Sequence, residues 1–161
     1  MTRSELEIII KRRAAIWVTV LAALLAINGW IGGSNSSKIM TSTVQANNQW
    51  SWYQAKNVRT IIYLTTADTI KDRELAQHYR DEVKRLRADM DEISAEAKRL
   101  EGVREYAQQR SPYFTYAGIA LQLGIVMSTA AILAVAMPLF FGSLAVGAVG
   151  GLLFMVAQFG V

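Results

Sequence analysis

The stretch LTTADTIKD, residues 64–72, is the best candidate for a reversal of chain direction in this sequence. It lies close to the midpoint of a long polar region, residues 34–112. Its β-branched and capping residues are unfavourable inside a helix. Thr69 and Asp72 resemble a capping box, which would start a new helix. A reversal here predicts an α-helical hairpin with arms at about 39–66 and 70–110.

The polar region must reverse because an uncharged segment lies on each side of it. All 30 charged residues, 17 basic and 13 acidic, fall within 1–13 and 38–110. Such segregation is typical of an integral membrane protein, so both ends of the polar region should meet the same membrane face. The net charge of +4 fits contact with anionic lipid headgroups, and we expect no nucleic-acid partner.

Three apolar segments are long enough to cross a membrane as helices, at residues 14–33, 113–137 and 140–160. With the hairpin between the first two, they predict an all-α integral membrane protein. A basic segment, 1–13, precedes the first. A signal peptide is the competing interpretation, but the apolar run is long and no A-x-A cleavage site follows it. Ser111 and Pro112 suit the N-cap and first position of the second span. Pro138 marks the break before the third.

Small residues recur at helical spacing in the last two spans. In lipid, such residues allow helix backbones to approach closely, although glycine is also simply common in membrane helices. The residues predicted to pack are Gly124, Ser128, Ser143, Gly147 and Gly151.

Basic flanking residues predict the orientation of the spans. Four basic residues precede the first span, and Lys38 alone follows its exit. This favours a cytoplasmic N-terminus and places residues 34–112 outside. Arg104 and Arg110, before the second span, favour the opposite orientation.

The second arm carries a heptad repeat typical of a coiled coil. Its apolar residues are spaced alternately by three and four, and the repeat weakens after Leu100 at Gly102 and Arg104. The repeat comprises Ala76, Tyr79, Val83, Leu86, Met90, Ile93, Ala97 and Leu100. All except the two alanines are predicted to form the hairpin core, together with Trp50 and Tyr53.

The first arm shows a broad apolar arc that is predicted to pack inward, with Trp50 and Tyr53 in it. The arc comprises Ile39, Met40, Val44, Trp50, Tyr53, Val58, Ile61, Ile62 and Leu64. A separate contact stripe, Trp52, Lys56, Arg59 and Tyr63, should face another chain or lipid headgroups. Two alternatives are a solvated stripe and an arm that lies flat on the membrane.

Catalytic chemistry has little support in the sequence. The chain has no cysteine and one histidine, His78, and no nucleotide-binding glycine loop. The predicted spans lack the ionisable residues that proton relays and ion pathways usually need. We therefore expect no enzyme activity, no cofactor and no metal site.

The motif Asn48-Gln49-Trp50, followed by Tyr53-Gln54-Ala55-Lys56, resembles the bacterial domain-of-unknown-function family numbered 4337. The resemblance implies a small membrane protein with an N-terminal span, a charged coil and a C-terminal pair of spans. It also implies location in the bacterial inner membrane, and it carries no activity. Family members commonly have basic residues between the last two spans, where this chain has AMPLFFGS, and a His- and acid-rich N-terminus, which this chain lacks.

Two functions from different classes fit these observations. The first is a membrane scaffold that self-associates through its hairpin and its small-residue spans. The second is an accessory subunit of a larger energy-transducing or transport complex. An oligomeric pore is a weaker alternative. The expected partners are membrane lipids and either further copies of the chain or other subunits.

Overall fold

The computed structural model describes residues 3–160, and within that range the fold is all-α, as predicted. Three helices follow one another: α1 (Arg3–Thr69), α2 (Arg73–Ala134) and α3 (Met137–Phe159). Each contains an apolar window long enough to cross a membrane. Contacts divide the chain into two compact units. The span unit comprises the chain up to Ser37 and from Tyr106 onward, and the arm unit comprises Lys38–Glu105.

The connection between α1 and α2 lies within the stretch that predicts a reversal. α1 ends at Thr69, whose hydroxyl donates to the carbonyls of Thr65 and Thr66 at 3.0 and 3.1 Å. Asp72 Oδ1 accepts from the backbone N–H of Glu74 and Leu75, the second and third residues of α2, at 2.9 and 3.3 Å. Asp72 is therefore the N-cap. The predicted Thr69–Asp72 capping box is wrong, because Thr69 still belongs to the last turn of α1.

The two long helices continue where shorter segments were expected. α1 passes without a break through residues 34–38, and α2 passes through Pro112. The expectation that Ser111 and Pro112 begin a new helix is therefore wrong. A proline inside a helix removes one backbone hydrogen bond, so other contacts must hold the helix on course there.

Two asparagines of α1 supply such contacts in the span unit. Asn35 Nδ2 donates to the carbonyl of Ala107 at 2.8 Å, and Asn28 Nδ2 donates to that of Phe114 at 3.0 Å. Both asparagines are buried, and their acceptors lie on either side of Pro112. They tie α2 to α1 across the proline, which explains how the helix persists there.

The turn between α2 and α3 is a Schellman motif. The N–H of Ala136 donates to the carbonyl of Ala131 at 3.2 Å, and Val135 has φ of +50°. A β-branched residue is strained in this left-handed region, where glycine is usual. Pro138 lies in the first turn of α3, which therefore begins before the predicted residue 140.

All three helices pack together in the span unit around a leucine of α1. A Cβ added to Gly124 would lie 3.0 Å from Leu21 Cδ1 and 3.3 Å from the Cα of Gly147. A Cβ added to Gly147 would lie 2.8 Å from Leu21 Cδ2. Leu21 is fully buried. The two glycines therefore let α2 and α3 meet closely and accommodate this side chain.

Ser128 and Ser143 are fully buried in the same unit. The Ser128 hydroxyl donates to the carbonyl of Ala14 at 3.4 Å, and that of Ser143 donates to Phe140 at 2.8 Å. Gly151 departs from the expectation, since a Cβ there would meet nothing within 4 Å. Its neighbour Gly150 is buried instead, against Leu121 of α2. Toward the end of α3, the buried small residue is therefore one position earlier in the sequence than predicted.

Candidate interaction site

The arm unit packs large side chains of α2 against small side chains of α1. Of the predicted heptad, Tyr79 and Ile93 are half-buried. The buried members are Ala76, Val83, Leu86, Met90, Ala97 and Leu100. The buried residues of α1 in this unit are Ser42, Ala46, Thr60 and Ala67. The α1 face toward α2 is therefore small and partly polar.

The apolar arc predicted to pack inward from the first arm is largely exposed. Side chains of five of its nine members are 51–72% exposed: Met40, Val44, Val58, Ile61 and Ile62. The prediction is wrong for these five. The wide apolar arc pointed to the wrong face because the α2 side chains already fill the space between the helices, leaving room for small residues.

The two aromatic residues predicted for the hairpin core are half-buried. Trp50 Nε1 donates to Glu101 Oε1 of α2 at 2.9 Å. The Trp50 and Tyr53 rings meet edge to face, with centroids 5.6 Å apart. Trp50 therefore contacts α2 through a polar bond at its edge.

The predicted contact stripe is divided between two faces. Lys56 Nζ lies 2.6 Å from Asp89 Oδ2 of α2, and the Tyr63 ring lies 5.3 Å from that of Tyr79. Trp52 is 62% exposed, and Arg59 is also exposed. Two members of the contact stripe thus join the two helices, while the other two are exposed.

Trp52 stands in a surface groove between α1 and α2. A concavity of about 390 Å³ lies on one side of it, lined by Gln49, Glu96 and Arg99 among others. A second, of about 320 Å³, lies toward Lys56 and Asp89. An exposed indole between two shallow concavities is suited to contact with another surface.

Two carboxylates that line this groove form ion pairs. Arg99 donates two hydrogen bonds of 2.7 Å to Glu96, which lower the pKa of that carboxyl. The hydrogen bond from Lys56 likewise lowers the pKa of Asp89. Both carboxylates are therefore ionised at neutral pH and unsuited to donate a proton. Among the described residues, no three His, Asp or Glu side chains group as a metal site would require.

One family model, described as "Domain of unknown function (DUF4337)", matches residues 10–160 of the chain. The chain belongs to the DUF4337 family. Comparisons with curated proteins and with solved structures found no match. Membership of DUF4337 covers both units and assigns them no activity.

Sequence reasoning missed the buried polar residues on α1 of this DUF4337 chain. Asn28, Asn35, Ser42 and Thr60 are all buried on α1. Successive members are 7, 7 and 18 residues apart, close to multiples of the 3.5-residue repeat, so they follow one face of the helix. Reading this small polar face together with the heptad of α2 would have predicted the correct phase of α1.

The Lys56–Asp89 pair predicts a pH dependence for the arm unit. Because its folded-state pKa is lowered, Asp89 contributes stability that is present above its unfolded pKa of about 4 and is lost as pH falls below it. Asp89→Asn should therefore reduce the loss of protease resistance at low pH.

Asp91→Asn, an exposed neighbour, is the control for this prediction. Equal pH profiles for Asp89→Asn and the parent chain would contradict the assignment. The effect should be modest because the pair is partly exposed.

Proposed function

We propose that this chain is a non-enzymatic scaffold of the bacterial inner membrane that self-associates. Its three apolar helices would span the bilayer, and its arm unit would form an extramembrane coiled-coil hairpin. The heptad of α2, buried against α1, supports the hairpin. Support for a membrane location comes from the apolar windows, of which only 17%, 28% and 22% are buried within the chain. Most of their surface is left for lipid or for other helices.

Self-association is supported by the exposed surface of the arm unit, outside those apolar windows. The arm unit leaves Trp52 and five large apolar residues of α1 uncovered in a region too polar to be embedded in lipid. A large exposed apolar area is typical of an interaction site. Ion pairs cover much of α2 in the same unit, including Lys84–Asp81, Arg85–Glu82 and Arg99–Glu96. One helix of the pair is thus suited to solvent and the other to a partner.

Co-purification of two differently tagged full-length copies tests self-association. When both are produced in the same cells, capture of one tag should recover the other copy in a fixed ratio. Mixing separately solubilised membranes is the control for association after extraction. If the captured copy instead carries stoichiometric foreign chains and no second copy, the protein is an accessory subunit and the proposal fails.

We further expect the N-terminus to be cytoplasmic and residues 34–112 to be periplasmic. The chain has no cysteine, so single cysteines report topology cleanly. Ser36→Cys and Asp91→Cys, at exposed positions, should react with an impermeant thiol reagent once the outer membrane is permeabilised. Ser4→Cys should react only after the inner membrane is breached. The reverse labelling pattern would invert the orientation.

A further inference from the structure

One face of α1 in the arm unit forms a continuous uncharged stripe. Its six members are all exposed and fall within about 60° of one another at 100° per residue. The α1 stripe consists of Met40, Val44, Ser51, Ala55, Val58 and Ile62. Val44, Ser51 and Val58 follow at intervals of seven, the repeat that keeps positions aligned along a pair of coiled helices.

The distribution of side-chain size on α1 indicates that something covers this stripe. In a helix pair that is complete by itself, burial of the larger apolar side chains would be favoured. Here the small residues Ala46 and Ala67 are buried, while Val44, Val58 and Ile62 are more than half exposed. The arrangement is favourable only if a further surface removes the larger residues from water.

Charge identifies the kind of surface that fits. Residues 38–69 contain four charged side chains, whereas residues 73–105 contain seventeen. The α1 stripe contains none, so it offers no ion-pair partner to a charged surface and would desolvate the charges of one. A second copy of this chain presents an identical uncharged stripe.

The size of the stripe favours a partner held in the same membrane. From Met40 to Ile62 the helix rises about 33 Å, and a strip about 10 Å wide gives roughly 300–350 Å² on each partner. Stable interfaces between free proteins usually bury about 800 Å² on each side. A contact of this size suits partners whose shared bilayer already supplies a high effective concentration.

Membrane insertion also determines the direction of the contact. Two copies inserted with the same topology are related by an axis along the membrane normal, so their α1 helices run in the same direction. Equivalent residues then meet at the axis. β-Branched residues such as Val44 and Val58, repeated at one heptad position, favour parallel two-stranded packing.

We infer that the α1 stripe is a parallel, in-register contact between two copies of this chain. This inference rests on the proposed self-association and specifies the surface that performs it. Val58 of one copy meets Val58 of the other, and Val44 meets Val44. Trp52 lies beside the stripe, within reach of the edge of the same contact.

Disulfide cross-linking in native membranes tests the contact. Val44→Cys and Val58→Cys, each as the sole cysteine of the full chain, should form disulfide-linked dimers on mild oxidation. Val103→Cys is the matched control, since it is also an exposed valine of the arm unit but lies on α2. If Val103→Cys cross-links as efficiently as Val58→Cys, collision explains the dimers and the inference is overturned.

A charged residue introduced into the α1 stripe provides a second test. Val58→Asp brings two like charges together at the axis and should reduce cross-linking through Val44→Cys about tenfold or more. Val103→Asp should leave that cross-linking unchanged. Protease resistance of the arm unit must persist in Val58→Asp, which shows that the helix pair is intact. Unchanged cross-linking in Val58→Asp would contradict the inference.

The outcomes separate this inference from the proposed function. If the copies co-purify but neither Val44→Cys nor Val58→Cys cross-links, the inference about the α1 stripe is overturned and self-association still holds. Copies that do not co-purify would overturn both.

Discussion

Replacing Gly150 by leucine should force α2 and α3 apart, whereas the same change at Gly151 should leave the span unit intact. A Cβ at Gly150 would lie 3.0 Å from the backbone nitrogen of Leu121 and 3.0 Å from its Cγ. Backbone cannot move aside as a side-chain end can, so the helices must separate. Overpacking of this kind destabilises by about 1–3 kcal/mol, and a whole leucine side chain should reach the upper end of that range or exceed it.

The neighbouring glycine is a close control for this experiment. A Cβ at Gly151 meets nothing within 4 Å, and both variants gain the same helix propensity and the same apolar bulk. Thermal unfolding in mild detergent should show a lower midpoint for Gly150→Leu than for Gly151→Leu. Equal midpoints would mean that α2 and α3 do not meet at Gly150.

Replacing Leu86 by alanine should open the arm unit. Leu86 is buried, and loss of its side chain should cost about 2–5 kcal/mol through lost transfer energy and the cavity left behind. At the lower limit the open population would rise about thirtyfold. Proteolysis within Lys38–Glu105 in membranes should accelerate accordingly, provided that opening is fast relative to cleavage.

Two further leucine-sized residues of α2 calibrate this result. Leu75→Ala removes a side chain that is 41% exposed and should have little effect. Ile93→Ala removes a half-buried heptad residue and should fall between the two. If Leu75→Ala opens the unit as much as Leu86→Ala, the heptad of α2 is not its packing face.

The sequence was sufficient to predict the features that depend on a repeated pattern. Segregated charge located the apolar windows, and the alternating spacing from Ala76 to Leu100 identified the packing face of α2. The helix break within 64–72 was predicted from its capping residues, of which Asp72 does act as a cap. These signals are strong because many residues contribute to each, or because one side chain acts on its own backbone.

The phase of α1 could not be predicted in the same way. The arc from Met40 to Ile62 contains the larger apolar side chains, so it gave a stronger hydrophobic signal than the face of small residues that actually meets α2. Choosing between the two requires knowledge of the space left by the α2 side chains, which is a property of the pair. The shift from Gly151 to Gly150 and the passage of α2 through Pro112 have the same origin, since contacts between helices determine both.

The mass of the intact complex, released from the membrane in mild detergent, tests self-association most directly. The protein component should have a single defined mass equal to two or more times 17.8 kDa, with no foreign chain. Val58→Asp should shift this mass downward and Val103→Asp should not. A monomer in the parent chain, or a complex whose mass requires stoichiometric foreign subunits, would contradict the scaffold.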